Sequence, residues 1–296
     1  MSEPSIRSFT ASDGYRIHFR HWKSQSPRGI VIALHGIQSH SGWYEASSRA
    51  MASAGFDVYF ADRRGSGLNG FQRGHAAHGM RLINDVRALA ALAKNEQRTS
   101  ADDGQLMPVT IMGVSWGGKI AAAAAVTFPN EFNGLALLYP GLHPRICPNA
   151  WQRFRLKLAR RFEIIRTDIP IPLRAPELFT DTLEWQQFIA NDPLALHTVT
   201  SSLLNAGRDL DELIAERAAD LRCPVLLMLA GRDRVIDNLK TRIQATRFGT
   251  RHLTCICYPN ACHTLEFEPN RTAILSDLTE WLGKRPSGIA HREDCR

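Results

Sequence analysis

Five short runs along the chain are almost continuously apolar: Gly29–Leu34, Phe56–Ala61, Val109–Met112, Gly134–Tyr139 and Val225–Ala230. Runs of this length without alternation are what a strand needs when helices cover both faces of its sheet. His252–Tyr258 reads as a further, final strand. Helical spacing falls between the runs, at Trp43–Ala54 (closed by Gly55), Gly79–Ala93, Lys119–Phe128, Leu239–Phe248 and Arg271–Leu282. The polar stretch Asn95–Gln105 reads as a loop. Ahead of the first buried run, Ser5–Thr10 and Tyr15–Trp22 flank the turn Ser12-Asp13-Gly14, and Tyr15, Ile17 and Phe19 alternate with polar residues. That alternation predicts an antiparallel hairpin at a sheet edge. Strand then helix, repeated, gives an α/β fold with a mostly parallel central sheet and right-handed crossovers.

The rhythm breaks after Gly141 and resumes at Val225. Residues 141–221 carry helical patterns, many prolines and no buried-strand signature, too long a stretch for a connection. They are predicted to be a helical cap inserted into a core of 1–140 and 222–284, with 285–296 a polar C-terminal tail. The first cap helix, Trp151–Ile165, places Trp151, Phe154, Leu158, Phe162 and Ile165 on one stripe. From Arg145 to Arg174 basic residues outnumber acidic ones by six. One reading packs the stripe on the body and leaves the charges in water. The other lays the helix on a membrane surface, a peripheral contact.

The whole chain is basic too, with a net charge of +7. No zinc-finger, RNP-type or basic-stripe motif accompanies that charge, so nucleic acid is not an expected partner. The longest apolar stretch, near Ile120–Val126, is too short to span a bilayer. Met1–Thr10 lacks the apolar core of a secretory signal, and the six cysteines are scattered and read as reduced, which together predict a cytoplasmic protein. These patterns leave the oligomeric state open.

The chemistry centres on Gly113-Val114-Ser115-Trp116-Gly117-Gly118, a serine between glycines where a strand gives way to an alanine-rich helix. A turn that sharp strains the serine backbone, and side chains two residues either side would collide with neighbouring elements, which is why glycine is needed there. In an open parallel sheet catalytic groups gather at strand carboxyl ends. Four such ends carry His35-Gly36-Ile37, Ser115, Asp233 and His263. A serine hydroxyl needs a base, assigned to His263, and the base needs a carboxylate behind it, assigned to Asp233. The order Ser, Asp, His is that of the α/β-hydrolase triad. Asp237 competes as the acid but falls where a helix N-cap belongs. The developing oxyanion needs donors, assigned to the backbone N–H groups of Ile37 and Trp116. His35 and His40 flank that loop; both are candidate substrate contacts, with a satisfied loop histidine as the alternative. Val114 and Trp151 are further candidate substrate contacts. His75 and His78 lack the carboxylates that would complete a metal site, so no metal or cofactor is expected. The loop Asp62-Arg63-Arg64-Gly65-Ser66-Gly67 lacks the third glycine and the opening helix of a dinucleotide fingerprint.

The chain resembles the monoacylglycerol lipase and lysophospholipase-like branch of the α/β-hydrolases, also described as the serine aminopeptidase S33 or Hydrolase_4 group. The resemblance is carried by His35-Gly36, His40-Ser41-Gly42-Trp43-Tyr44, Asp62 to Gly67, the Ser115 turn, Gly231-Arg232-Asp233-Arg234-Val235-Ile236-Asp237 and His263. It implies a cytosolic or membrane-associated serine hydrolase acting on carboxylic esters, often with an acyl chain, and the expected substrate is a small-molecule acyl glycerol or lysophospholipid-like ester cleaved through an acyl-enzyme. Val114 stands where these lipases usually have histidine, Trp116 where methionine is common, and Arg63-Arg64 within a loop that otherwise bears histidine. Thioesterase, lactonase and peptidase activities share the same machinery, and a non-catalytic ligand-binding homologue shares the fold.

Overall fold

A computed structural model of the protein describes residues 3–100, 107–146 and 168–284. Its strands are β1 (Ser5–Thr10), β2 (Arg16–Trp22), β3 (Gly29–Leu34), β4 (Phe56–Ala61), β5 (Val109–Val114), β6 (Gly134–Leu138), β7 (Asp168–Pro170), β8 (Thr198–Thr200), β9 (Val225–Ala230) and β10 (Leu253–Tyr258). The helices are α1 (Glu45–Ser53), α2 (Gly79–Ser100), α3 (Trp116–Thr127), α4 (Leu183–Asn191), α5 (Ser201–Arg217), α6 (Asn238–Ala245) and α7 (Arg271–Gly283).

The apolar runs form the middle of an eight-stranded sheet ordered β1-β2-β4-β3-β5-β6-β9-β10. β1 and β2 make the expected antiparallel edge hairpin, β2 runs antiparallel to β4, and the remaining neighbours are parallel. β3, β4, β6 and β9 are buried at every position. Helices exclude water from both faces: α1 packs with α7, and α2, α3 and α5 pack with one another. α3 is enclosed all round, with Ala121–Ala125 at most 1% exposed. Small side chains are what let a helix sit that close to β5, the central strand that delivers Ser115.

Three expectations need correction. α2 does not stop near Ala93 but continues to Ser100, through part of the predicted loop. Its extra turns are held by partners distant in sequence: Glu96 accepts from Tyr59 Oη (2.9 Å) and from Arg7, and Gln97 donates to Asp57, a carboxylate buried within β4. The 141–221 segment is not wholly helical, because β7 and β8 pair as a short antiparallel ribbon. Within it α5 lies against α2 and α3, where Lys119 Nζ meets Asp211 at 2.8 Å and Asp209 accepts from Gly79 N at 3.1 Å. Cys223 and Cys262 are thiols, whereas Cys257 takes part in a disulfide, so the cysteines are not uniformly reduced. Trp151 and the whole predicted helix Trp151–Ile165 lie outside the described residues, as does the 285–296 tail. Among the described residues no helix is long and apolar enough to cross a membrane.

Candidate active site

Ser115 has φ 49° and ψ −123°, a strained conformation for a residue with a side chain, and α3 starts at the next residue. Main-chain bonds hold the turn: Ser115 N donates to Leu138 O (3.0 Å), and Ser115 O accepts from Gly118 N (2.9 Å) and Gly141 N (2.6 Å). The steric demand on the flanking glycines is severe. A Cβ on Gly113 would lie 2.5 Å from Gly117 O and Gly118 Cα, and one on Gly117 would lie 2.5 Å from Leu34 O and His35 O. Gly117→Ala therefore forces the end of β3 away from the serine. It is expected to cost about 1–3 kcal/mol of stability, as overpacking does. Its denaturation midpoint tests this, and an unchanged midpoint would show that the turn has room.

Three sequence-predicted residues meet in one hydrogen-bonded line. His263 Nδ1 lies 2.8 Å from Asp233 Oδ2, and His263 Nε2 lies 3.0 Å from Ser115 Oγ. A carboxylate can only accept, so Nδ1 carries the proton of the neutral ring and Nε2 is left to receive the serine proton. The other Asp233 oxygen, Oδ1, accepts from the N–H groups of Val235 (2.7 Å) and Ile236 (2.8 Å), which fixes the carboxylate's orientation. Asp237 instead caps α6, accepting from Lys240 N at 3.1 Å. The imidazole is 1% exposed and meets the Tyr139 and Phe179 rings edge-on, at centroid distances of 4.9 Å and 5.8 Å. Such a line can activate a hydroxyl as a nucleophile and stabilise the imidazolium that results.

The loop after β3 closes over the serine, so that a Cβ on Gly36 would lie 3.3 Å from Ser115 Cβ. No acceptor among the described residues takes the N–H of Ile37 or Trp116. Both stay available to an oxyanion beside Ser115, the requirement for electrostatic stabilisation of a tetrahedral intermediate.

The other candidate contacts turn out to brace the site. His35 uses both ring nitrogens on backbone, with Nδ1 on Gly36 O (2.7 Å) and Nε2 accepting from Arg63 N (2.9 Å). Burial and the Arg63 charge pull its pKa down to about 3, so the ring is neutral and its two nitrogens are taken by backbone. His40 accepts from Gly42 N at Nδ1, and its Nε2 lies 3.1 Å from Asp192 Oδ2, which also accepts from Trp43 Nε1 at 2.6 Å. His40 thus ties the loop to the segment after α4. Val114, the last residue of β5, is 1% exposed. Trp151 cannot be placed, since it lies outside the described residues.

Sequence reasoning missed Tyr139 and Phe179 against His263, and an aromatic group beside them: Trp43, Trp185, Phe188 and Phe267, with Trp185 stacked on Phe267 at 4.5 Å. Trp185 and Phe188 lie on α4 and the other rings sit at the ends of elements or in short turns, so no single periodic pattern gathers them at His263. Glu266, three residues beyond His263, is also enclosed. Burial pushes its carboxyl up to about 7 although Ser47 N donates to it at 2.9 Å. Above the ordinary carboxylate range the unfolded chain releases this proton while the folded chain keeps it, so stability falls as pH rises from about 4.5 to about 7. At roughly 1.4 kcal/mol per unit the loss is about 3 kcal/mol. Glu266→Gln is expected to remove it, so that the variant gains on the wild type between pH 5 and 8 in denaturant titrations; parallel pH curves would contradict this.

The profile of the Hydrolase_4 family, described as serine aminopeptidase, S33, matches residues 25–270. The chain is 28% identical over 287 residues to a monoacylglycerol lipase of Mycolicibacterium smegmatis, covering 95% of this chain and 98% of that one. It is 23% identical to the monoglyceride lipase of Homo sapiens, covering 93% and 89%. Among solved structures, a soluble variant of the monoglyceride lipase of Saccharomyces cerevisiae, in complex with a substrate analog, superposes with a TM-score of 0.84 at 18% identity, covering 97% of each chain. A thermostable carboxyl esterase of Bacillus coagulans superposes with a TM-score of 0.78 at 20% identity, covering 96% of this chain and 99% of that one.

Proposed function

The chain belongs to the Hydrolase_4 family (serine aminopeptidase, S33) and is a serine carboxylic-ester hydrolase of the α/β-hydrolase fold; from that premise we propose that it cleaves the ester of an acyl glycerol or a lysophospholipid-like substrate, with Ser115, His263 and Asp233 as its triad. The observation that carries the triad is the line Ser115 Oγ, His263, Asp233 with successive distances of 3.0 and 2.8 Å, on a serine held at φ 49°. Ser115 Oγ attacks the ester carbonyl as its proton passes to His263 Nε2, and Asp233 stabilises the imidazolium. The tetrahedral oxyanion takes hydrogen bonds from the Ile37 and Trp116 N–H groups. His263 then protonates the departing alcohol, leaving an acyl group on Ser115. Water, deprotonated by His263, adds to that acyl-enzyme and releases the acid, restoring the serine.

The substrate class is supported by the monoacylglycerol lipase of Mycolicibacterium smegmatis, 28% identical over 95% of this chain. The buried rings of Trp43, Phe179 and Phe267, with Phe179 against His263, keep the surroundings of the imidazole apolar. No cofactor enters the scheme, since the proton transfers need only side chains and water. A panel of monoacylglycerols, diacylglycerols, lysophospholipids and p-nitrophenyl esters, with acyl thioesters, lactones and peptides alongside, tests the reading. Highest kcat/KM on monoacylglycerols or lysophospholipids supports it. Preference for a thioester, lactone or peptide would move the substrate class while leaving the triad in place.

A further inference from the structure

Arg63 is charged yet enclosed, 6% exposed, in a glycine-rich loop where a basic residue ordinarily faces water. Among the described residues its guanidinium does not form a hydrogen-bonded pair with a carboxylate. Nη1 donates to Gly36 O at 3.1 Å and Nη2 to Ile37 O at 3.0 Å, while Nε has no partner among the described residues. Its Cζ lies 4.8 Å from the centroid of the Trp116 ring, a cation–π contact. One side chain therefore touches both residues assigned as oxyanion donors, Ile37 and Trp116. Burying an arginine in this way is costly, so the contacts it makes there call for an explanation.

Peptide planarity supplies one. In a trans peptide the C=O of Gly36 and the N–H of Ile37 belong to one rigid plane and point in opposite directions. Two donors, Arg63 Nη1 and His35 Nδ1, hold Gly36 O from behind. Fixing that oxygen fixes the direction of the Ile37 N–H on the other side. A cation hydrogen-bonded to the carbonyl also polarises the peptide and makes its N–H a stronger donor. On the Trp116 side, the guanidinium packs against the indole of the residue that gives the second N–H.

We propose that Arg63 is a positioning residue for the oxyanion hole, holding the Gly36–Ile37 peptide and the Trp116 ring so that both N–H groups are fixed before the ester arrives. The inference rests on the serine-hydrolase reading above. Its effect falls on the transition state more than on ground-state binding, because the two N–H groups bond most strongly to the oxygen once it carries negative charge.

The test compares wild type, Arg63→Lys and Arg63→Met on a p-nitrophenyl ester, with the affinity of an alkyl trifluoromethyl ketone measured on the same proteins. Ser115 Oγ adds reversibly to that ketone, its proton passing to His263, and the adduct's oxyanion occupies the hole. Arg63→Met is expected to lower kcat about 100-fold, in the range seen when one oxyanion donor is lost, with KM changed less than about 3-fold. Ketone affinity should fall by a factor similar to that of kcat/KM. Arg63→Lys, which keeps the charge but offers one nitrogen to two carbonyls, should lie between. A variant that folds and keeps its kcat overturns the proposal. So does a fall in kcat with ketone affinity unchanged, or a failure of both variants to fold, since either assigns Arg63 a merely structural role. Wild-type turnover and stoichiometric fluorophosphonate labelling of Ser115 are measured beside them. If the wild type neither turns over nor labels, the serine-hydrolase reading has failed, an outcome distinct from the failure of the Arg63 inference.

Discussion

Ser115→Ala is expected to lower kcat by about 10⁵- to 10⁶-fold, the scale seen when a triad nucleophile is removed. Its fold should be kept. Alanine suffers the same positive-φ strain as serine, and the substitution removes the 3.0 Å hydrogen bond to His263 while leaving the main-chain bonds of the turn in place. The assay is ester turnover at saturating substrate, with the thermal midpoint measured alongside. More than about one hundredth of wild-type turnover in a folded Ser115→Ala protein lies far outside the range that loss of a nucleophile gives, and would place the chemistry elsewhere.

The second large effect separates two aspartates four positions apart. Asp233→Asn should cost about 10⁴-fold in kcat, because a neutral amide cannot stabilise the imidazolium and its NH₂ favours the wrong tautomer of His263. Asp237→Asn should change kcat by less than about 3-fold, since asparagine caps a helix nearly as well as aspartate. The structure explains the contrast: Asp233 lies 2.8 Å from the imidazole in an enclosed site, whereas Asp237 bonds to the first turn of its own helix and to the Lys240 side chain. Equal losses in the two variants would mean that either carboxylate can support the histidine.

What the sequence made legible follows from the kind of constraint at each place. β3, β4 and β9 are readable because burial on both faces leaves an apolar run with no alternation, and that signal needs no knowledge of partners. The Ser115 turn is readable because a Cβ on Gly117 would lie 2.5 Å from two carbonyl oxygens, a steric demand that admits almost only glycine. Asp233 and His263 are readable from residue type and chain order together.

Where a residue's role depends on a distant partner, the sequence is silent. α2 outruns its apolar stripe because Glu96 and Gln97 find Tyr59 and Asp57, which lie about forty positions away in the chain. His35 and His40 have the right chemistry for substrate contact, and only the structure shows their ring nitrogens already engaged by Gly36, Arg63, Gly42 and Asp192. Nothing in the sequence around Arg63 signals that its side chain is enclosed, which only the structure shows. The ribbon of β7 and β8 has three residues per strand, too few for any periodic signature.

The measurement that bears most directly on the triad is covalent labelling by a fluorophosphonate, with peptide mapping of the adduct and ester turnover followed in the same sample. One adduct per chain is expected, on Ser115, with turnover falling in proportion to labelling and no adduct formed by Ser115→Ala. An adduct mapping to another residue, or turnover that persists after Ser115 is fully labelled, would contradict the assignment of Ser115 as the nucleophile.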